Sequence, residues 1–528
     1  MNNFLNDLKN ELNFTETENG AGALKSTRSA MLDAFGSMGA MRFSDDSQII
    51  EVFSHAFYED RADAMRLLFY MRDIRGGQGA RKVFRVCMKW LAHNYPEYVI
   101  NNLENFLFYG RGDDLLCLYD TPVWTDAVHW MKYQLAQDVI AKNAGHSCSL
   151  LAKWMPSENA SSQKTRAIAR NIIKGMNIPV KTYRTVLASL RRHLKVVEQK
   201  MSAREWTEID YEQIPAKAAL NYSDAFVRHD EEGYISYLKD VANGNAKVNA
   251  ASLFPVDIVH KVLTVGRYAS LKDQIMLDAM WKALPNYLEG REETGICVVD
   301  VSGSMSGLPM EVAISLGMYC ADKCRGPFQN HFITFSNEPE LVEIQGKDIV
   351  EKVANIHRAN WSMNTNLEAV FDLMLKTAIS NHTAPADMPQ KLYIISDMQF
   401  DEARESRSRP YSYWSSGIHE KNEDNPFMRK MRAKYERAGY TMPTIVYWNV
   451  RASECGMFQD TFEGENCCMV SGYSASLFKS IIDGTSYEVE EMIDEKGNKV
   501  QTVKATVDPI TVMMTAIHDK RYDLVWVG

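Results

Sequence analysis

The sequence predicts an α plus α/β protein, in which an all-helical, HEAT-like repeat half precedes a doubly wound parallel sheet. From about residue 20 to residue 285, apolar residues recur at spacings of three and four, in short segments separated by polar or glycine turns. This is the pattern of stacked helical pairs. After residue 291, apolar runs of five to eight residues alternate with helical segments, which indicates parallel strands joined by helices.

Three parts follow from these patterns: a helical domain over 1–285, an α/β domain over 290–485 and an extension over 486–528. The clearest helical segments of the first part cover 49–58, 61–72, 80–93, 98–108, 124–141, 162–176 and 181–200. Candidate strands of the second part cover 295–301, 331–336, 339–344, 391–396, 443–449 and 467–471. Candidate helices between them cover 309–324, 346–356, 366–380, 425–438 and 474–482.

Two segments interrupt this alternation. Residues 401–425 are polar and aromatic without periodicity, so we expect an exposed loop near the carboxyl edge of the sheet. Residues 487–506 alternate around a Lys-Gly-Asn turn, which predicts a hairpin. A helix over 509–518 and a strand-like tail should follow it.

Length and composition fit a soluble protein of several folding units. A chain of 528 residues exceeds what one hydrophobic core organises, and 45% hydrophobic with 24% charged residues is the balance of a globular protein. No apolar stretch approaches the roughly 20 residues that span a bilayer, and the first residues lack a basic start and apolar core. We therefore expect a cytoplasmic protein without membrane contact. Nine dispersed cysteines, an odd number, argue against a disulfide framework.

Oxygen-bearing side chains follow two of the predicted strands. Asp300, Ser302 and Ser304 alternate at the exit of the first strand, and Asp397 ends a later one. Carboxyl ends of parallel strands meet at one edge of a sheet, where ligands bind. With Thr365, these residues form a set of hard oxygen donors that suits Mg²⁺ or Mn²⁺. The alternative is that the same side chains only cap the following helix.

This set resembles the metal-ion-dependent adhesion site of von Willebrand factor A domains, over about residues 290–485. In that family the two serines and the threonine coordinate the ion directly, and the aspartates act largely through water. The resemblance implies those roles for Ser302, Ser304, Thr365, Asp300 and Asp397. It also implies an open metal position that an acidic protein partner can fill.

Known catalytic patterns are missing from the sequence. The stretch Gly303-Ser-Met-Ser-Gly307 places Met305 where a hydrolase elbow needs its nucleophilic serine. No phosphate-binding Gly-Lys-Ser/Thr loop and no His-Glu-x-x-His occurs. A metal-dependent phosphoesterase is the least favoured alternative, because no base or second metal is apparent. We expect a binding protein and not an enzyme.

Two basic groups lie in the helical part, although the net charge of −9 alone disfavours nucleic acid. The first group consists of Lys164, Arg166, Arg170, Lys174, Lys181, Arg184, Arg191 and Arg192. The second, Arg75, Arg81 and Lys82, surrounds the turn Arg75-Gly-Gly-Gln-Gly79. Such density of positive charge suits a phosphate backbone. The alternative is a solvated helix face whose aliphatic stems cover the core.

The order of these parts resembles the Ro ribonucleoprotein family, whose helical part is the TROVE module; this chain looks like a divergent microbial or phage branch. The resemblance rests on the Arg-Gly-Gly-x-Gly turn, the basic helical region and the metal loop. It implies helical repeats closed into a ring, which binds misfolded RNA ends and small structured RNAs. Residues 153–157 and the chain after 482 have no counterpart in that family. We predict an RNA-binding scaffold; the alternative is a metal-dependent protein adapter without RNA binding.

Overall fold

A computed structural model of the protein describes residues 12–20, 22–250, 252–266, 269–290, 294–335, 339–356, 366–400, 426–452, 467–493 and 499–528. The chain forms two compact units. The α/β unit contains Met1–Asp60 and Phe254–Ile517, and the helical unit contains Arg61–Leu253 and His518–Gly528. The predicted combination of a helix-rich region with an α/β region is confirmed. Across the described residues, no helix is both long and apolar enough to cross a membrane.

Residues before position 61 fold with the α/β unit. Their elements are β1 (Phe14–Glu16), β2 (Gly22–Leu24), α1 (Ala30–Ser37) and α2 (Asp46–Glu59), with β1 and β2 antiparallel. After α1, the amide of Gly39 donates to the Ser471 hydroxyl at 3.0 Å. A Cβ at Gly39 would lie 2.3 Å from the Ser471 carbonyl oxygen, so glycine is required here. The spatial units therefore divide the chain differently from the predicted boundary near residue 285.

Short helices joined by brief turns make up the helical unit, as the periodicity predicts. They are α3 (Arg61–Arg72), α4 (Arg81–Asn94), α5 (Pro96–Ile100), α6 (Asn105–Tyr109), α7 (Trp124–Asn143), α8 (Leu151–Trp154), α9 (Gln163–Met176), α10 (Val180–His193), α11 (Val197–Ala203), α12 (Ala216–His229) and α13 (Glu231–Ala242). Two predicted helices are interrupted. The segment 98–108 is divided between α5 and α6. The segment 181–200 breaks at Lys195, whose left-handed backbone (φ 48°) ends α10.

The rest of the α/β unit alternates strands and helices. Its elements are α14 (Pro255–Val265), α15 (Leu271–Lys282), β3 (Gly295–Asp300), α16 (Leu308–Lys323), β4 (His331–Phe335), β5 (Leu341–Glu343), α17 (Ile349–Ile356), α18 (Leu367–Asn381), β6 (Lys391–Ser396), α19 (Pro426–Arg437), β7 (Thr444–Asn449), β8 (Cys467–Ser471), α20 (Ser476–Asp483), β9 (Thr485–Ile493), β10 (Lys499–Val507) and α21 (Pro509–Ile517). All six predicted strands, the five helices between them, the hairpin and its following helix are confirmed.

Strands β3 to β8 form one sheet in the order β5-β4-β3-β6-β7-β8. Neighbours are parallel except for β5, which pairs antiparallel with β4. The prediction of a wholly parallel sheet is therefore wrong at this edge. Residues 336–340 connect β4 to β5, and a parallel return needs a crossover of about a dozen residues or more.

Helices cover both faces of the sheet. On one face, Val298 of β3 shares a core with Phe371 of α18 and Tyr435 of α19. On the other face, α16 packs closely on β3, because a Cβ at Gly317 would lie 2.5 Å from a methyl group of Val299. Successive strand residues thus point to opposite sides and are buried on both. This doubly covered sheet fixes the carboxyl ends of β3 and β6 side by side.

Residues after α21 do not form the predicted strand-like tail. They form a 3₁₀ turn over Lys520–Tyr522 and pack within the helical unit. The side-chain amide of Asn102 donates to the Trp526 carbonyl at 2.9 Å, and the Asn105 amide donates to the Leu524 carbonyl at 2.9 Å. The segment is held by side chains of the helical unit and not by strand pairing.

Candidate functional site

Four of the five predicted metal ligands lie together at the carboxyl edge of the sheet; we call Asp300, Ser302, Ser304 and Asp397 the metal edge. The Ser302 amide donates to a carboxylate oxygen of Asp300 at 2.9 Å, and the hydroxyls of Ser302 and Ser304 are 3.0 Å apart. Asp300 and Asp397 are buried, at 0% and 4% exposure. Thr365, the fifth predicted ligand, lies outside the described residues, as does the predicted loop 401–425.

Burial makes both carboxylates of the metal edge costly to ionise. The pKa of Asp300 is raised to about 6, first by burial and then by repulsion from Asp397, against hydrogen bonds from Ser396 and Ser302. Burial also raises the pKa of Asp397, although a hydrogen bond from Ser304 and the charge of Arg451 oppose it. Two carboxylates that are this costly to ionise together favour a cation between them.

The donor chemistry of the metal edge fits a hard divalent cation. The described residues include no group of three or more His, Cys, Asp or Glu side chains suited to a metal. Hydroxyl oxygens must therefore supply part of any coordination, as Mg²⁺ or Mn²⁺ accepts and soft metals do not. Ser302 and Ser304 would bind the ion together with the two carboxylates, directly or through water.

Two side chains at this edge were not predicted. The Ser396 hydroxyl donates to Asp300 and accepts from the Met398 amide at 3.1 Å, so it orients the carboxylate. Arg451, just beyond β7, donates to the Ser304 carbonyl. Ser396 directly precedes Asp397 and could have been found by its position. Arg451 gives no sequence signal, because only the fold brings β7 next to β6.

In the helical unit, five of the predicted basic residues face solvent on α9 and α10. The buried residues of α9 are Ala169, Ile172, Ile173 and Met176, and those of α10 are Tyr183, Leu187 and Leu190. At helical spacing the exposed side chains lie on the opposite faces; we call Lys164, Arg170, Lys174, Lys181 and Arg192 the basic surface. Among the described residues, no carboxylate lies within ion-pair distance of these five, so their charge is available.

The other three basic residues of this group hold the local structure. Arg166 donates to the carbonyls of Ala160 and Ser161, both at 2.8 Å. Arg191 donates to the carbonyls of Ala152 (2.8 Å) and Met155 (2.7 Å). Burial lowers the pKa of Arg191 from its ordinary value.

Arg184 pairs with Glu158. Residues 152–158, which include the end of α8 and the segment after it, therefore anchor α10. Tyr183 is buried and donates to the Pro156 carbonyl at 2.7 Å.

The second basic group connects to the first through α8. Arg81 and Lys82 are exposed at the start of α4, and Arg81 lies 4.0 Å from Asp113. Asp113 also accepts from Arg111, whose guanidinium lies 3.8 Å from the ring centre of Trp154 at the end of α8. Arg191 of α10 donates to the Ala152 carbonyl of this same helix, so α8 contacts α10 as well as Arg111. The Trp154 ring between cations is a feature that the sequence did not reveal.

The glycine turn, defined as Arg75-Gly-Gly-Gln-Gly79, binds the chain's own tail. Asp73 is buried and accepts from the amides of Arg75 (3.0 Å) and Gly76 (3.2 Å). It also accepts from the Arg521 guanidinium and from the Tyr522 hydroxyl at 3.2 Å. A Cβ at Gly77 would lie 1.9 Å from the Tyr70 carbonyl oxygen.

Arg75 itself is exposed and donates to the Phe108 carbonyl at 3.4 Å. The glycines thus have a structural role, and of this turn only the arginine side chain remains at the surface.

Comparison with known proteins assigns the chain to two consecutive sequence families. A domain of unknown function, DUF2828, matches residues 17–110 and 131–290, and a second, DUF7788, matches residues 294–517. An uncharacterized protein of Acanthamoeba polyphaga mimivirus is 31% identical over 519 residues, which cover 91% of this chain and 86% of that protein. The similarity extends across both compact units.

Proposed function

This chain belongs to the same family as the mimivirus protein, and we propose that it is a non-enzymatic RNA-binding scaffold. The helical unit binds small structured or misfolded RNA, and the α/β unit is a von Willebrand A-type domain that uses Mg²⁺ to recruit a partner. The observation that carries the proposal is the basic surface of α9 and α10. Five cations on two consecutive helices, with no carboxylate of the described residues within ion-pair distance of them, are suited to a phosphate backbone.

The second basic group adds to the positive charge of the basic surface. Arg75, Arg81 and Lys82 add three exposed cations in the same unit. Trp154 is half-buried, and its ring is already occupied by Arg111 (3.8 Å from the ring centre) and Lys153 (5.3 Å).

The metal edge supports the second half of the proposal. Its hydroxyls and carboxylates are hard donors, and the open position of a bound Mg²⁺ accepts an oxygen from outside the chain. Closure of the helical repeats into a ring is part of the Ro resemblance and belongs to this proposal. A cytoplasmic location and the absence of catalysis complete it.

Binding of a small hairpin RNA with a single-stranded tail, measured by fluorescence anisotropy between 50 and 200 mM salt, tests the proposal. Replacement of all five residues of the basic surface by glutamine should flatten the salt dependence. Each lost phosphate contact lowers the slope of log K against log salt by roughly 0.7 to 0.9, so the total loss approaches about 4.

A matched control removes five other exposed cations from the same unit: Arg204, Lys217, Arg228, Lys239 and Lys247. This control variant should keep most of the slope. Equal loss in both variants would mean that binding follows only net charge. No RNA binding at 50 mM salt would contradict the proposal.

One observation favours the alternative of a protein adapter without RNA binding. Arg166, Arg184 and Arg191 are engaged in local contacts, so the basic surface is smaller than the sequence indicates. If RNA fails to bind while an acidic peptide binds the α/β unit in the presence of Mg²⁺, the adapter function is correct.

A further inference from the structure

The carboxyl edge of the sheet carries cations as well as the metal-edge oxygens. Arg451 follows β7, is exposed, and donates to the carbonyl of Ser304 in the metal loop. β7 lies directly beside β6 in the sheet, so this guanidinium extends the metal edge by one strand.

A second guanidinium reaches the same edge from the N-terminal segment. Arg42 lies over the ring of Tyr473, 4.2 Å from its centre, and Tyr473 is the second residue beyond β8. The charges of both Arg42 and Arg451 act on the Tyr473 hydroxyl. Ser44 fixes this segment, because its hydroxyl donates to the Ala452 carbonyl at 3.0 Å. The segments that carry Arg42 and Arg451 therefore contact each other, because Ser44 binds the residue that follows Arg451.

An exposed aromatic ring accompanies them. Phe43, between Arg42 and Ser44, is 71% exposed although its neighbours are held in place. A phenylalanine that a fixed backbone presents to solvent, directly after Arg42 in the chain, adds a face for a base to the guanidinium donors for a phosphate.

We propose that the metal edge, Arg451, Arg42 and Phe43 together bind a phosphate group of a single-stranded RNA. The inference rests on the proposed function and names the ligand of its metal site. One phosphate oxygen occupies the open position of the Mg²⁺, and Arg451 donates to the other oxygens. Arg42 contacts the next phosphate or the ribose, and Phe43 stacks with a base. Guanidinium groups favour a phosphate, with its several oxygens, over the single carboxylate of an acidic side chain.

Short RNA oligonucleotides separate this site from the basic surface. The protein used is the full chain with the five basic-surface residues already changed to glutamine, so that the α/β unit dominates binding. Three versions of one tetranucleotide are compared by isothermal titration in Mg²⁺ and in EDTA: with a 5′-phosphate, with a 3′-phosphate and with two hydroxyl ends. These versions show whether the phosphate is terminal or internal.

In Mg²⁺ we expect at least one phosphorylated version to bind roughly tenfold more tightly than the hydroxyl version, or all three to bind if the phosphate is internal. EDTA should remove this binding in either case. Arg451→Gln and Arg42→Gln should each weaken it about tenfold, and Arg42→Gln should leave the affinity for Mg²⁺ alone unchanged. Phe43→Ala should weaken all versions by a similar factor.

Lys376→Gln is the matched control. Lys376 is exposed on the half of α18 that leads to the amino end of β6, at the opposite edge of the sheet, and its loss should have no effect. The inference is overturned if Mg²⁺ binds to the protein but each of the three oligonucleotides binds with the same affinity in Mg²⁺ as in EDTA. It is also overturned if an acidic peptide binds the Mg²⁺-loaded protein and Arg42→Gln and Arg451→Gln leave that affinity unchanged. In both cases RNA binding by the basic surface still stands.

Discussion

Buried aspartates occur in both units, but their surroundings differ. In the helical unit, Asp114 is fully buried between Arg72 and Arg85, with nitrogen–oxygen distances of 2.6 Å to each. Asp73 likewise meets Arg521 and two backbone amides. In the α/β unit, by contrast, Asp300 meets only hydroxyl and amide donors and is repelled by Asp397. Among the described residues no cationic side chain lies within ion-pair distance of Asp300.

This difference separates structural carboxylates from a binding site. When a buried carboxylate is paired with a guanidinium, its negative charge is balanced within the chain. Removing either partner then leaves an uncompensated charge. When a buried carboxylate is repelled by a second carboxylate, its negative charge is balanced only if a cation binds. The predictions below use this contrast.

The largest effect is expected at Asp73. Asp73→Ala leaves the Arg521 guanidinium and two amides without their acceptor, so the helical unit should lose about 3–5 kcal/mol of unfolding free energy. Urea unfolding followed by circular dichroism measures this loss. Glu205→Ala, an exposed acid in the same unit, should change stability by less than about 0.5 kcal/mol. A loss below about 1 kcal/mol at Asp73 would contradict a structural role for the glycine turn.

A smaller effect of a different kind is expected at the metal edge. Asp300→Asn removes the repulsion with Asp397, so the metal-free variant should unfold within about 1 kcal/mol of the native chain. Mg²⁺ at 100 times its dissociation constant should stabilise the native chain by about 2.7 kcal/mol and the variant hardly at all. Differential scanning calorimetry with and without Mg²⁺ gives both numbers. If Mg²⁺ stabilised the native chain and the Asp300→Asn variant equally, the ion would bind at a site that does not involve Asp300.

The smallest effect concerns pH. The pKa of Asp300 in the folded protein, about 6, lies above its ordinary value of 3.8. The metal-free α/β unit therefore loses stability as pH rises between these two values. Mg²⁺ needs the ionised carboxylate, so its stabilising effect should be full above pH 6. Below that value it should fall by about 1.4 kcal/mol per pH unit. Unchanged Mg²⁺ stabilisation at pH 5 would exclude Asp300 as a participant.

The sequence predicted most of the α/β unit because its elements are strongly periodic. Each strand is a continuous apolar run between turn residues, so all six were located within a few residues. The sequence pattern did not predict that residues 12–60 join the α/β unit, because their helices have the same amphipathic pattern as the helices of the helical unit. Only contacts such as Gly39 with Ser471, distant in the chain, assign them.

Prediction of the two sites differed for a physical reason. Asp300 and Asp397 follow parallel strands, and parallel strands bring their carboxyl ends together whatever the details of packing. No comparable rule applies to Lys and Arg on helices. Whether a side chain such as Arg191 faces solvent or binds backbone carbonyls depends on neighbours like α8, which composition does not reveal. The glycine turn likewise gave no sign of the tail that covers it.

The central claim, RNA binding by the basic surface, can be read most directly by lysine labelling. The native chain is treated with an amine-reactive reagent with and without saturating hairpin RNA, and the modified sites are located by mass spectrometry. RNA should protect Lys164, Lys174 and Lys181 several-fold and leave Lys376 unchanged. Unaltered labelling of the three helical lysines while RNA is bound would contradict the account.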